Sequence, residues 1–264
     1  MYRIYNLKSS ENVEVSAELG PFTVIVHKQN LDPRARHSMR EYYASLLLQR
    51  KRQLICNLSG MDILIAQGMM QWMVGDCRMV SDVKGLFGYL GKKVRGKMTG
   101  QSAIAPCYSG NGTVVLEPVE DDILLVDLNE WREGIVLDPG LFLACTADVI
   151  QSTTARSNVS SALFGNEGMF SMALSGTGFA ALKVPCPKET LVLVELEDDV
   201  LKVDGNFAIA WSQTLNFTVE NSGKTVVSSA LSAEGLVNTY SGTGKILLAP
   251  VISKRPDSDP EVDS

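Results

Sequence analysis

Histidine is scarce in this chain, and its scarcity limits the chemistry that the sequence can support. Among 264 residues only His27 and His37 are histidines, and no Cys-x-x-Cys pair accompanies them. Metal centres of the cupin type need several converging histidines with a carboxylate, and Ser-His-Asp catalysis needs a positioned histidine base. The sequence therefore predicts no catalytic residue, no metal site and no cofactor, and it favours a protein that is not an enzyme.

Long apolar runs and an excess of basic residues are also missing. No stretch approaches the roughly 20 apolar residues of a membrane-spanning helix. Lysine and arginine number 24 against 30 aspartates and glutamates, so the formal net charge is −6. Nucleic-acid binding needs a positive surface, so this balance disfavours nucleic acid as a partner. The first residues show no export or targeting pattern, which predicts a cytoplasmic protein.

The cysteines do not indicate a disulfide framework. Their number, five, is odd, they are widely spaced, and most lie in apolar sequence such as Phe142-Leu143-Ala144-Cys145. Buried free thiols in a reducing compartment fit this pattern best. The five are Cys56, Cys77, Cys107, Cys145 and Cys186.

What the sequence does contain is one short glycine phrase in three copies. Successive copies are 66 residues apart. A strand-like apolar run that ends near a proline follows each copy. We interpret the chain as one β unit present three times. The copies are Tyr108-Ser109-Gly110-Asn111-Gly112, Leu174-Ser175-Gly176-Thr177-Gly178 and Tyr240-Ser241-Gly242-Thr243-Gly244.

A second segment repeats upstream of the phrase. Residues 68–74, 140–146 and 206–212 each follow the pattern of a turn and then a buried strand. Their spacings are 72 and 66 residues, so repeat one carries six extra residues. We place these in the glycine-rich loop of residues 84–97, because loops tolerate insertions. The predicted domains are a lead-in of residues 1–52, β repeats over 53–118, 119–186 and 187–250, and a disordered acidic tail of 251–264.

The lead-in has its own predicted elements. Residues 12–19 alternate like a half-buried strand, and residues 22–26 resemble a more buried one. Residues 38–53 combine helix-forming side chains with a basic last turn, which predicts a helix.

The glycine phrases allow two interpretations. A phosphate-binding loop would need a helix start after it to receive the anion, and strand-like sequence follows here instead. Tight turns between strands explain the glycines better, because glycine adopts positive φ at little cost. The predicted structural turns are Gly110, Gly112, Gly176, Gly178, Gly242 and Gly244.

Several motifs taken together resemble a known family. They are residues 67–73 with Gly75-Asp76, the Gly/Lys-rich loop 85–100, the Glu-Gly pairs at 167–168 and 234–235, and the three glycine phrases. From about Leu54 to Pro250 the chain resembles the altered inheritance of mitochondria protein 24 family. The resemblance implies an all-β fold of three tandem modules packed together, each a short double-stranded β-helix similar to the tryptophan RNA-binding attenuator protein, and it implies assembly into rings. Gln101 departs from the pattern, since repeats two and three carry Glu167 and Glu234 there.

Basic and apolar residues alternate in the loop of repeat one and make it a candidate contact loop. Such a loop suits a membrane surface or an acidic partner. The alternative is an ordinary solvated loop, because glycine disfavours the amphipathic helix that interfacial binding normally needs. The candidate contact residues are Lys84, Phe87, Tyr89, Lys92, Lys93, Arg95 and Lys97.

Two hypotheses of function follow from the sequence. The first is a non-enzymatic, β-rich scaffold or interaction protein that works as a homo-oligomer with a further protein partner, because exposed strand edges need to be covered. The second is a small-molecule or RNA-binding module, which rests only on analogy with the attenuator-protein fold.

Overall fold

The protein is built almost entirely from antiparallel strands, which confirms the all-β class expected from the sequence. The computed structural model describes residues 2–29, 39, 42–44, 49–80, 105–155, 170–221 and 236–250. In chain order the strands are β1 (Val13–Leu19), β2 (Phe22–His27), β3 (Arg52–Asn57), β4 (Ile63–Ile65), β5 (Met70–Val80), β6 (Cys107–Leu116), β7 (Asp122–Asp127), β8 (Ile135–Leu137), β9 (Phe142–Thr146), β10 (Val149–Ala155), β11 (Phe170–Gly176), β12 (Phe179–Val184), β13 (Val192–Asp204), β14 (Ala208–Ser212), β15 (Asn216–Asn221) and β16 (Leu236–Leu248). Short 3-10 helices occupy Leu128–Glu130 and Lys188–Thr190.

The described strands form two sheets. The first has nine strands in the order β1-β2-β3-β6-β4-β9-β12-β7, and β5 pairs with β6 beside this path. The second has seven strands in the order β10-β11-β8-β14-β16-β13, and β15 pairs with β16. The first sheet curls until β1 lies against β7.

Three principal core clusters follow from this arrangement of the described residues. One lies inside the curled first sheet and includes Phe22, Leu54 and Ile63. A second contains side chains from both sheets. The third belongs to the second sheet, where Trp211 and Tyr240 lie with their ring centroids 5.3 Å apart.

The lead-in matches the prediction in its strands and differs from it in the helix. The predicted strands at 12–19 and 22–26 are confirmed by β1 and β2. Met39 and residues 42–44 are helical, but residues 49–51 are not, and Arg52 already belongs to β3. The predicted helical end at Gln53 is therefore wrong. Pairing of β3 with β2 and β6 buries this segment and overrides its helix propensity.

Two of the three glycine phrases do not form turns between strands. Gly110 and Gly112 lie inside β6, and Gly242 and Gly244 lie inside β16. Gly176 ends β11, and Gly178 directly precedes β12. The prediction of turns is thus wrong for the first and third phrases. Their first glycines still have positive φ, 114° and 116°, so a strand carries the conformation that the sequence suggested for a turn.

The second glycine of each phrase is required by close packing. A Cβ at Gly112 would meet the carbonyl oxygen of Val74, and one at Gly178 would meet Thr146 Oγ1. A Cβ at Gly244 would lie 2.8 Å from Ser212 Cβ. Glycine is needed at these positions because the neighbouring strand lies where a side chain would begin.

Candidate functional site

The contact loop predicted from the sequence lies outside the described residues. This applies to all seven of its candidate residues, Lys84, Phe87, Tyr89, Lys92, Lys93, Arg95 and Lys97. It also applies to His37, to Gln101, Glu167 and Glu234, and to the tail of residues 251–264. The search for a site therefore turns to the edges and polar clusters of the described strands.

Two strand pairings join segments that the sequence assigns to successive repeats. In the first, β4 pairs with β9 and Ile63 lies opposite Thr146. In the second, β8 pairs with β14 and Ile135 lies opposite Ser212. Each pairing is antiparallel and joins three residues to three, all of them buried. We call these two pairings the inner junctions.

A third strand segment occupies the same position as β4 and β8 relative to its neighbour. Ile63, Ile135 and Leu201 each lie opposite the first residue of a glycine phrase, respectively Tyr108, Leu174 and Tyr240. Leu201 belongs to the second half of β13, residues 199–204. This half of β13 therefore corresponds to the strands that form the inner junctions.

The second half of β13 has an open side. β13 pairs with β16 along one side, and no other described strand pairs with it. A bulge between Leu196 and Asp199 places Asp198 at φ 52°, and Val200 is 51% exposed. We call residues 199–204 the β13 edge. It presents unpaired backbone groups together with an exposed apolar side chain, which is the usual composition of a strand-pairing surface.

The first half of β5 has an open side as well. β5 pairs only with β6 among the described strands, and Met73 on it is 39% exposed. Trp72 is half-buried against the cluster of Ile25, Ile55 and Val115 on the outer face of the first sheet. We call residues 70–74 the β5 edge. The Tyr2 ring lies beside Gly75, just past this edge.

A buried ion pair fixes the start of the first repeat against the start of the second. Arg52 Nε lies 2.8 Å from Asp122 Oδ1, and the two side chains are 17% and 6% exposed. Asp122 also accepts backbone N–H groups from Ile123 at 2.7 Å and Lys188 at 3.0 Å. This cluster links three segments of the chain, and its hydrogen bonds compensate the desolvation of the carboxylate. We interpret it as a structural joint.

A second polar cluster surrounds Gln53. Its Oε1 lies 3.2 Å from His27 Nε2, and its Nε2 donates to Gln71 Oε1 at 2.8 Å and to the Leu116 carbonyl at 2.7 Å. Gln71 in turn donates to Glu117 Oε2 at 3.2 Å. The cluster satisfies a buried amide between β2, β3, β5 and β6, and no described group in it is placed to act as a nucleophile.

The thiols are free, and most are shielded from solvent. Cys56, Cys107, Cys145 and Cys186 are buried, and Cys77 is half-buried. Burial raises the pKa of Cys107 to about 11 and that of Cys145 to about 12. Burial and the nearby Asp76 carboxylate raise the pKa of Cys77 as well. Raised pKa values disfavour the thiolate, so these groups are poor nucleophiles at neutral pH.

Neither a metal-binding group nor a membrane-spanning helix is found in the part of the chain that the structure describes. No cluster of three or more histidine, cysteine, aspartate or glutamate side chains is suited to a metal ion there. No helix there combines the length and the apolar character needed to cross a bilayer.

A comparison with known families identifies the chain. The family model described as mitochondrial biogenesis AIM24 matches residues 46–251. The chain belongs to the AIM24 family. The family predicted from the glycine phrases and the Gln67–Met73 segment is therefore confirmed, and the match covers the whole of the region assigned to the three repeats.

A crystal structure with the same fold supports the architecture described for this AIM24-family chain. The neighbour is a protein of Streptococcus pyogenes, with a TM-score of 0.55 and 18% sequence identity. The alignment covers 89% of this chain and 92% of that chain. At this identity the likeness shows the fold alone. No curated protein matches the chain significantly.

The sequence analysis missed the two open edges. Nothing local distinguishes the β5 edge from the equivalent strands β9 and β14, since all three come from the same repeated segment. One signal was present: Lys202 lies on the β13 edge where the equivalent strands carry Leu64 and Val136. A lysine in place of a buried apolar residue is typical of an exposed strand edge.

Proposed function

We propose that this AIM24-family protein is a non-enzymatic, β-rich scaffold or interaction protein that works as a homo-oligomer in the cytoplasm. The observation that carries the proposal is the pair of open edges on β5 and β13, which lie on long strands and expose Met73 and Val200. Edges of this kind are usually covered by another chain or guarded against one. An oligomer covers them.

The proposal includes an architecture of three tandem units. Equal register at the inner junctions supports this, because Ile135 and Ser212 follow Ile63 and Thr146 by the spacings seen in the sequence, 72 and 66 residues. A shared hydrogen bond also supports it. Thr146 Oγ1 accepts the Phe179 N–H at 3.1 Å, and Ser212 Oγ accepts the Lys245 N–H at 2.9 Å.

Size-exclusion chromatography with light scattering, at several protein concentrations, tests the oligomer. We expect a mass that is a multiple of the 28.7 kDa chain and that increases with concentration. A particle of monomer mass at every concentration would remove the scaffold hypothesis.

The basic loop of residues 84–97 supplies a second contact surface in this proposal. Its support is the interleaving of basic with apolar side chains, which suits an anionic surface. Cosedimentation with anionic phospholipid vesicles tests it, using a variant with Lys92, Lys93, Arg95 and Lys97 changed to glutamine and neutral vesicles as controls. Equal cosedimentation of the variant and the intact protein would dismiss the loop.

A further inference from the structure

The two open edges are complementary because each lacks the partner that its counterparts have. At the inner junctions, β4 and β8 pair with β9 and β14 of the following unit. The β13 edge corresponds to β4 and β8, and the β5 edge corresponds to β9 and β14. The chain thus ends on one half of a junction and begins on the other half.

From this we infer that the β13 edge of one chain pairs with the β5 edge of a second copy, as a third junction of the same kind. The inference rests on the proposed homo-oligomer and names the surfaces that form it. The register follows from the inner junctions. Leu201 lies opposite Val74, Lys202 opposite Met73, and Val203 opposite Trp72 of the next copy, in antiparallel orientation.

The pairing joins different chains because the two edges belong to different sheets, with no described pairing between them. Their cores are also separate clusters, one with Phe22 and Leu54 and the other with Val203 and Tyr240. Each chain then offers one β13 edge and one β5 edge. Such a contact is heterologous, and repeating it produces a closed ring or an open filament.

Side chains at the third junction make it weaker than the inner two. Leu64 and Val136 are buried at the inner junctions, and Lys202 stands in their place. Lysine can cover apolar surface with its stem, but its ammonium group must stay in water, and edge lysines oppose strand pairing. The assembly should therefore be reversible and depend on concentration.

The experiment places a second positive charge opposite Lys202. In Met73→Lys, two ammonium groups face each other across the junction, and we expect the dissociation constant of the assembly to increase about tenfold or more, because like charges in contact are costly. The matched control is Met79→Lys, which changes a 48% exposed methionine on the same strand but outside the junction. Sedimentation velocity on the purified full chain measures both.

A double variant tests the register itself. Met73→Lys combined with Lys202→Glu replaces the repulsion by an attraction, and we expect assembly to recover to at least the level of the intact protein. Circular dichroism and the unfolding midpoint verify that each variant remains folded.

The outcomes separate this inference from the proposed function. If the intact protein is monomeric throughout, the scaffold hypothesis and the inference both fail. If it assembles but Met73→Lys assembles equally well, or the double variant does not recover, the inference is overturned and the homo-oligomer stands. Weakening by Met73→Lys, none by Met79→Lys and recovery in the double variant support it.

Discussion

At the scale of single residues, glycine and the side chain opposite it determine how tightly the strands approach. The second glycine of each phrase lies where a Cβ would meet Val74, Thr146 or Ser212 on the adjacent segment. The first glycines of the phrases instead provide positive φ. A single short phrase thus meets two separate physical requirements, one conformational and one steric.

Alanine substitutions separate these two requirements. Gly178 and Gly140 both have positive φ, 126° and 87°, but only a Cβ at Gly178 meets another atom, Thr146 Oγ1. We expect Gly140→Ala to lower the free energy of unfolding by about 1–2 kcal/mol through backbone strain alone. Gly178→Ala should cost about 1–3 kcal/mol more because of overpacking. Urea denaturation measures both, and equal costs would contradict the packing at Gly178.

Thiol reactivity tests the burial of the cysteines. Only the thiolate is alkylated, so a raised pKa slows the reaction at neutral pH and moves its increase to more alkaline pH. In the folded protein Cys77 should react faster with iodoacetamide than Cys56 and Cys145, and its rate should still increase above pH 9.0, the ordinary thiol pKa. Peptide mass spectrometry assigns the labelled sites, with urea-unfolded protein as the control. Labelling of Cys145 as fast as Cys77 would contradict the structure.

At the scale of secondary-structure elements, β9–β12 and β14–β16 contacts use the same side-chain hydrogen bond. Thr146 and Ser212 each accept a backbone N–H from the residue after the second glycine of a phrase. Both hydroxyls are buried, so losing either one leaves an N–H group without that acceptor.

We therefore expect similar losses at two distant positions. Thr146→Val and Ser212→Ala should each reduce the free energy of unfolding by about 1–3 kcal/mol. Ser59→Ala is the control, since the hydroxyl of Ser59 makes only an exposed hydrogen bond to Asn111 and should matter little. Thermal or urea unfolding provides the comparison. A loss at only one of the two sites would weaken the equivalence of the second and third units.

Sequence reasoning succeeded where the signal is local and failed where it depends on pairing. Alternation over residues 12–19 predicted β1, and the repeated phrases indicated the family. The same glycines did not reveal whether Gly110 bends a continuous strand or closes a turn, because both require positive φ. Arg52 and Gln53 were assigned to a helix because their contacts with β2 and β6 are distant in sequence. The open edges depend on the order of strands in the sheets, which no short pattern specifies.

At the scale of the whole molecule, the central claim is that the chain carries two inner junctions and the two separated halves of a third. The β13 edge lacks the neighbour that β4 and β8 have, and the β5 edge lacks the neighbour that β9 and β14 have. Head-to-tail association completes both edges in one contact and explains why Met73 and Val200 are exposed in the single chain.

Disulfide trapping between two single-cysteine additions tests this claim most directly. One chain carries Met73→Cys and the other carries Lys202→Cys, positions that face each other across the third junction at a distance suited to a disulfide. After mild oxidation, the account predicts that the mixture gives a reducible product of twice the chain mass, joined at these two cysteines, and that neither variant alone gives it. A mixture that yields no such product, or no more of it than a mixture with Met79→Cys in place of Met73→Cys, would contradict the account.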